Sequence, residues 1–182
     1  MPAEAPRLFF TADTHFGHGG ARGLYRRPFE SVAAMDAAMV ARWNAVVAPG
    51  DEVWHLGDVA LGPAPAAVAA LLQGLHGRKH LLAGNNDGEA LRAWPGWASV
   101  RDYAEITVEG RGLVLGHYPF RSWRNMGKGW LNLHGHSHGR LKPLARQCDV
   151  GVDAWAFRPV TLAEILARRG RPARPQPEGH AG

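Results

Sequence analysis

The sequence predicts an α/β domain, and three observations carry that prediction. Short apolar runs alternate with helix-period segments through the first half of the chain. A β-hairpin and further short strands fill the second half. Five of the strands end at a cluster of Asp, Asn or His. Open α/β sheets place their sites at the C-terminal ends of strands, so these clusters are the candidate site.

Arg7–Ala12 (RLFFTA) reads as a buried strand with Asp13 at its tip. Ser31 can cap a helix running to about Val47, because Val32, Met35, Met39, Trp43 and Val46 recur at helical spacing. That stripe predicts a core-facing surface. Pro49-Gly50-Asp51 breaks the chain, and Glu52–Leu56 forms the second strand, delivering Asp58. Pro65 opens an Ala-rich helix, where a missing N–H costs nothing. Lys79–Ala83 forms the third strand and delivers Asn85. Glu105–Val108 and Leu113–Gly116, around the turn Glu109-Gly110-Arg111-Gly112, predict a hairpin that ends at His117. Trp130–Leu133 leads to the His136/His138 pair, and Val150–Val152 predicts one more strand. Thr161-Leu162-Ala163-Glu164 is a capping-box sequence opening a last short helix. Residues 1–169 therefore read as one domain. Residues 170–182, rich in Arg, Pro and Gly with no apolar period, read as a disordered tail.

Composition sets outer bounds. The 182 residues are 46% hydrophobic, enough for one domain with a proper core. One cysteine, Cys148, permits no internal disulfide and points to a reducing compartment and a small core residue. The N-terminal segment has no signal pattern, and no apolar run is long enough to span a membrane, so a cytoplasmic protein is predicted. The net charge is +5, and the pI is near 10.0. The last sixteen residues carry +3 of that charge and leave +2 for the body, so a broad nucleic-acid face is not required.

The chemistry lies in five ordered motifs: Asp13-Thr14-His15, Gly57-Asp58, Gly84-Asn85-Asn86-Asp87, Gly116-His117 and Gly135-His136-Ser137-His138. Singly, Asp-x-His, Gly-Asp or Gly-Asn-Asn-Asp could be an ordinary loop or turn. As an ordered set at strand ends they form a metal constellation. Hard carboxylate oxygens, one amide oxygen and several imidazoles suit borderline divalent ions such as manganese, iron, cobalt, nickel or zinc. Two such ions about 3.5–4 Å apart suit in-line displacement at phosphorus.

This motif order resembles the signature of the calcineurin-like metallophosphoesterase superfamily, and the match spans Asp13 to His138. Phe10–His18, Arg27-Pro28-Phe29, Trp54–Asp58, His117–Phe120 and Asp149–Ala154 also resemble small bacterial and phage members. The resemblance implies a four-layer α/β/β/α sandwich of two sheets flanked by helices. It implies that Asp13, His15 and His138 hold one metal and that Asn85, His117 and His136 hold a second. Asp58 would bridge them with the attacking water or hydroxide. Manganese is the preferred assay metal.

One position departs from the pattern. Asn86 stands where the superfamily has a histidine that protonates the leaving group or steadies the phosphoryl oxygen, and an amide is no general acid near neutral pH. His18, just beyond the first motif, is the candidate replacement. Arg26, Arg27 and Arg121 are candidate phosphate contacts. Arg121, Trp123, Arg124 and Lys128 could together take a nucleotide base and its phosphates, or form a surface loop around one buried Trp. His55 reads as a core residue or one supporting a ligand. His76, His80 and His180 carry no pattern that assigns a role.

The reading that follows is a binuclear metal-dependent phosphodiesterase acting on small or nucleotide-like phosphate esters. A phosphomonoesterase or protein phosphatase, a nuclease, and a non-catalytic scaffold are the alternatives. Nucleic acid is a possible but not a required partner, and the sequence leaves oligomeric state open.

Overall fold

The computed structural model describes residues 5–142 and 144–169; the expected tail and His180 lie outside the described residues. Five strands, β1 (Leu8–Thr11), β2 (Glu52–His55), β3 (Arg78–Leu82), β4 (Trp97–Arg101) and the short β9 (Val160–Thr161), form one sheet in the order β4-β3-β2-β1-β9. Strands β1 to β4 are parallel, and β9 is antiparallel to β1. The second sheet, β5-β6-β7-β8, comprises Tyr103–Val108, Arg111–Gly116, Leu131–His134 and Gln147–Asp149. Its first pair is a hairpin, and the other pairings are parallel.

Both faces of the first sheet are buried, which is why its strands read as continuous apolar runs. Phe9, Val53 and Leu81 point to a core with Met35, Met39 and Trp43 of α2 (Val32–Val46) and Leu72 of α3 (Pro65–Gly74). Phe10, Trp54 and Leu82 point the other way, onto Leu113, Leu115, Leu131 and Leu133 of the second sheet. Helix α5 (Leu162–Arg169) adds Leu162 and Ile165 to this second core. Ser31 caps α2 by accepting the Ala34 N–H at 3.0 Å. The Thr161 and Glu164 pair forms the anticipated reciprocal box at the start of α5: Thr161 N–H donates to Glu164 and Glu164 N–H to Thr161 Oγ1.

The two-sheet α/β sandwich is as anticipated, with one refinement. The outer face of the second sheet is covered by the segment 118–130, not by an α-helix among the described residues. Phe120 lies over Gly116 and Trp130 over Gly112, where a Cβ would come within 2.0 Å of the indole. Two boundaries also need correction. The hairpin turn is only Glu109-Gly110, both at positive φ (50° and 76°), the left-handed pair that matches strand twist. Val150–Val152 is not a strand: β8 ends at Asp149, and Val152–Ala154 is a 3-10 turn tied to Ala12 by Val152 N–H. Strand β4 and the single-turn helices α1 (Ala21–Leu24) and α4 (Glu89–Arg92) were not anticipated, being too short or too polar for a clear period. No helix among the described residues is long and apolar enough to cross a membrane.

Candidate metal centre

All five motifs sit where parallel strands β1, β2, β3, β6 and β7 end, so the sandwich delivers them to one rim. Backbone bonds lock the loops together: Asp13 N–H donates to Gly57 O (2.9 Å), His15 N–H to Asp58 O (3.0 Å) and Gly135 N–H to His117 O (3.0 Å). The approach is close enough to require glycine. A Cβ on Gly57 would lie 2.6 Å from His117 Nδ1, and one on Gly84 would lie 2.3 Å from Asp58 Oδ1. Asp13, His15, Asp58, His136 and His138 all hold positive φ, between 49° and 66°. Left-handed backbone costs a non-glycine residue about 1–2 kcal/mol. Such strain persists where the surrounding structure over-determines it, and it clusters at functional sites.

Two donor groups result: Asp13, His15 and His138, and Asp58, His117 and His136. Asp58 stands between them, with Oδ2 3.5 Å from His15 Nε2 and Oδ1 3.6 Å from His117 Nε2. Asn85 Oδ1 completes the second group, 3.0 Å from His117 Nε2 and 3.1 Å from His136 Nδ1. The inner ligand-type residues are almost wholly buried: Asp13 and His15 are 0% exposed and Asp58 2%.

The residues fit cations. Asp13 Oδ2 and both ring nitrogens of His15 are buried and have no hydrogen-bond partner among the described residues. Unpartnered buried polar atoms are costly unless something binds them. Burial, followed by the Asp149 charge, pushes the Asp13 carboxyl well above the usual range. That cost is the one a nearby dication removes. Burial also holds the His15 and His136 imidazoles low, which favours the neutral form that a cation would need.

Supporting groups fix the tautomers. His138 donates Nδ1–H to Asp153 at 2.8 Å, and His117 donates Nδ1–H to Leu56 O at 2.8 Å. Each is left with Nε2 as a donor atom, the arrangement that orients metal-bound histidines. Asp87 gathers the N–H groups of Gly84, Asp58 and Val59 at 2.7–2.8 Å, pinning the Asp58 loop to the Asn85 loop. Tyr25 stacks on His138 with ring centroids 3.5 Å apart, and Tyr118 packs against His117 and His136. The sequence reading missed Tyr25, Tyr118, Asp153 and Asp87 as site residues. Asp153, Asp87 and Tyr118 lay inside motifs already singled out; Tyr25 carried no signal.

The other predicted residues divide. Asn86 is at the centre: its Nδ2–H donates to Asp58 Oδ2 (2.6 Å) and its backbone N–H to Oδ1 (2.9 Å). The His18 ring lies 5.3 Å from that of His15, and its buried Nδ1 has no partner among the described residues. Arg27 corrects its expectation. It is buried, and its guanidinium is committed to Asp153 through two bonds of 2.8 Å and to the Asp13 and Thr14 carbonyls, so it braces the loop instead of meeting a phosphate. Arg26 and Arg121 are exposed. Trp123 is the buried Trp of a surface loop, donating to Trp130 O, and Arg124 pairs with Glu105, so this segment does not present a base platform. His55 is buried against Thr14 Oγ1 (3.0 Å) and held at about 3 by burial, as a supporting core residue. His76 bonds Val47 O, and His80 bridges Glu52 and Ser99.

No family model matches the chain. It is 30% identical to Uncharacterized protein MJ1445 of Methanocaldococcus jannaschii over 88% of this chain and 89% of that one. It is also 30% identical to the Gene 66 protein of Mycobacterium phage L5, over 81% and 86% of the two chains. Among solved structures, AQ665 from Aquifex aeolicus superposes with a TM-score of 0.72 at 22% identity, covering 88% of this chain and 98% of that one. The two donor groups therefore meet at the rim where the parallel strands of both sheets end. The chain belongs to one family with the archaeal and phage proteins just described.

Proposed function

We propose that the protein is a binuclear metal-dependent phosphoesterase, preferring phosphodiesters with small or nucleotide-like organic groups. The position of the Asp58 carboxylate, one oxygen facing His15 and the other facing His117, is the observation that carries this reading. Asp13, His15 and His138 would hold one divalent cation and Asn85, His117 and His136 the other, with Asp58 between the two groups. When bound, the cations supply an activated water and neutralise charge on the phosphoryl oxygens. Asn85 contributes a neutral oxygen, which limits negative charge where an anionic ester must enter. Asn86 steadies Asp58 through its amide, and His18 is the candidate proton donor. Four imidazoles and an amide favour manganese over magnesium. The diester preference is supported by Asn86, which leaves no acid where a monoester with a poor leaving group would need one.

The test is a panel of aryl mono- and diesters assayed on chelated protein with manganese, nickel, zinc or magnesium restored. Hydrolysis should vanish in chelator and return best with manganese. Asp58→Asn should lower turnover at least about 10²-fold and weaken both metals, because an amide cannot offset two dications. Full activity in chelator, or normal turnover and metal content in Asp58→Asn, would remove the mechanism.

A further inference from the structure

A groove of about 460 Å³ lies between α3 and α4, beside the donor groups. One wall begins at Ala60 and Leu61, immediately after the loop that carries Asp58. The other begins at Asn86, the residue after Asn85. Asn86 links the two spaces: it lines the groove, and its Nδ2 is 2.6 Å from the Asp58 carboxylate. Farther out the walls are Pro63, Val68, Leu91 and Trp94, and among the described residues no ionisable side chain lines the groove. Asn86 and the Trp94 indole are the only polar side chains that the described residues bring to the wall.

We infer that this groove binds an organic ester group of the substrate, and that the group is uncharged and apolar, an alkyl or aryl moiety. This rests on the phosphoesterase reading, since it is a phosphorus atom at Asp58 that would place the ester group at the mouth. A charged group would lose its hydration with nothing to pair it. A nucleobase would bring several donors and acceptors to a wall offering two partners, whereas an alkyl chain or plain aryl ring leaves nothing unpaired. The groove therefore narrows the substrate class from nucleotide-like to apolar phosphodiesters.

The experiment uses 4-nitrophenyl methyl phosphate, 4-nitrophenyl hexyl phosphate and the 4-nitrophenyl ester of thymidine 5′-phosphate, which share one leaving group. Methyl- and hexylphosphonate serve as binding probes read by calorimetry on the manganese-loaded protein. Each buried methylene is worth about fourfold, so in an open groove the hexyl ester should exceed the methyl ester in kcat/KM by at least about tenfold. Ala66→Trp and Ala90→Trp, at exposed positions on opposite walls, should each bring the hexyl-to-methyl ratio to within about threefold of unity, in turnover and in phosphonate affinity. Unchanged melting shows that both variants fold. A wild-type ratio near one, a ratio that survives both substitutions, or a thymidine ester preferred to the hexyl ester would overturn the inference. If no ester is hydrolysed but hexylphosphonate still binds more tightly and both variants abolish the difference, the groove stands and the phosphoesterase reading fails.

Discussion

Asn86 shows how much chemistry one side chain can redirect. Its amide donates to Asp58 and so orients that carboxylate, but it cannot protonate a departing alkoxide. A strongly basic leaving group needs a proton, and an activated aryl oxide does not. If His18 supplies the proton, His18→Ala should depress alkyl-ester hydrolysis far more than aryl-ester hydrolysis, by up to about 10²-fold in the ratio, while Asn86→His changes little. If nothing supplies it, Asn86→His should raise the alkyl rate selectively. Steady-state rates on the two ester types in both variants decide between the accounts. A ratio unmoved in both means that neither residue governs the proton.

Between elements, two braces hold the rim. Arg27, after α1, reaches the turn after β8 through Asp153 and the loop after β1 through two carbonyls. Removing one partner of a buried ion pair leaves the other uncompensated, at about 3–5 kcal/mol. Arg27→Ala should therefore lower Tm by about 6–20 °C for a chain of this size, and it should loosen His138, which shares Asp153. Thermal melting and metal titration read the two effects; a melting point within about 2 °C of wild type would show that Arg27 is no brace. The second is the box that starts α5. Partial burial pushes the Glu164 carboxyl up, but Arg158 and the Thr161 N–H more than offset it, and the group sits below its ordinary range. A depressed carboxylate stabilises the fold at pH values above its unfolded pKa, and the contribution is lost as pH falls through the lower folded value. Glu164→Ala should cost about 1 kcal/mol at pH 7, and the gap should close toward pH 3. Urea melts at the two pH values would show a constant gap if the charge were irrelevant.

At the scale of the whole molecule, the site depends on two sheets meeting at one end. The parallel first sheet supplies Asp13, His15, Asp58 and Asn85, and the second supplies His117, His136 and His138. An Ala12–Gly151 bridge ties their ends. Neither sheet alone carries a full donor set. Residues 170–182 carry a net charge of +1, from Arg171 and Arg174 against Glu178, and no apolar period. Truncation after Arg169 should leave turnover on an aryl diester within about twofold of the full chain, since Arg168, whose Nη1 bonds Ala154 O, is kept. A loss of tenfold or more in that assay would place the tail at the site or at a subunit contact.

The sequence by itself determined the ligand-type residues, their order and their placement at strand ends, because each motif is local and a strand end is read from a few neighbouring residues. It determined the helix over Val32–Val46 and the capping box at Thr161 for the same reason. Only the tertiary structure decided that Arg27 is a brace and not a phosphate contact, since its partner Asp153 is 126 residues away. The groove beside Asn86 was equally invisible, because its walls come from α3 and α4, and a wall of Ala, Pro and Leu reads like any helix surface until the second element faces it. Asn85 and Asp58 become neighbours of one imidazole, His117, only when β2, β3 and β6 end at one rim. Those contacts are set by sheet pairing and sandwich packing, and long-range pairing of that kind leaves no mark on local residue patterns.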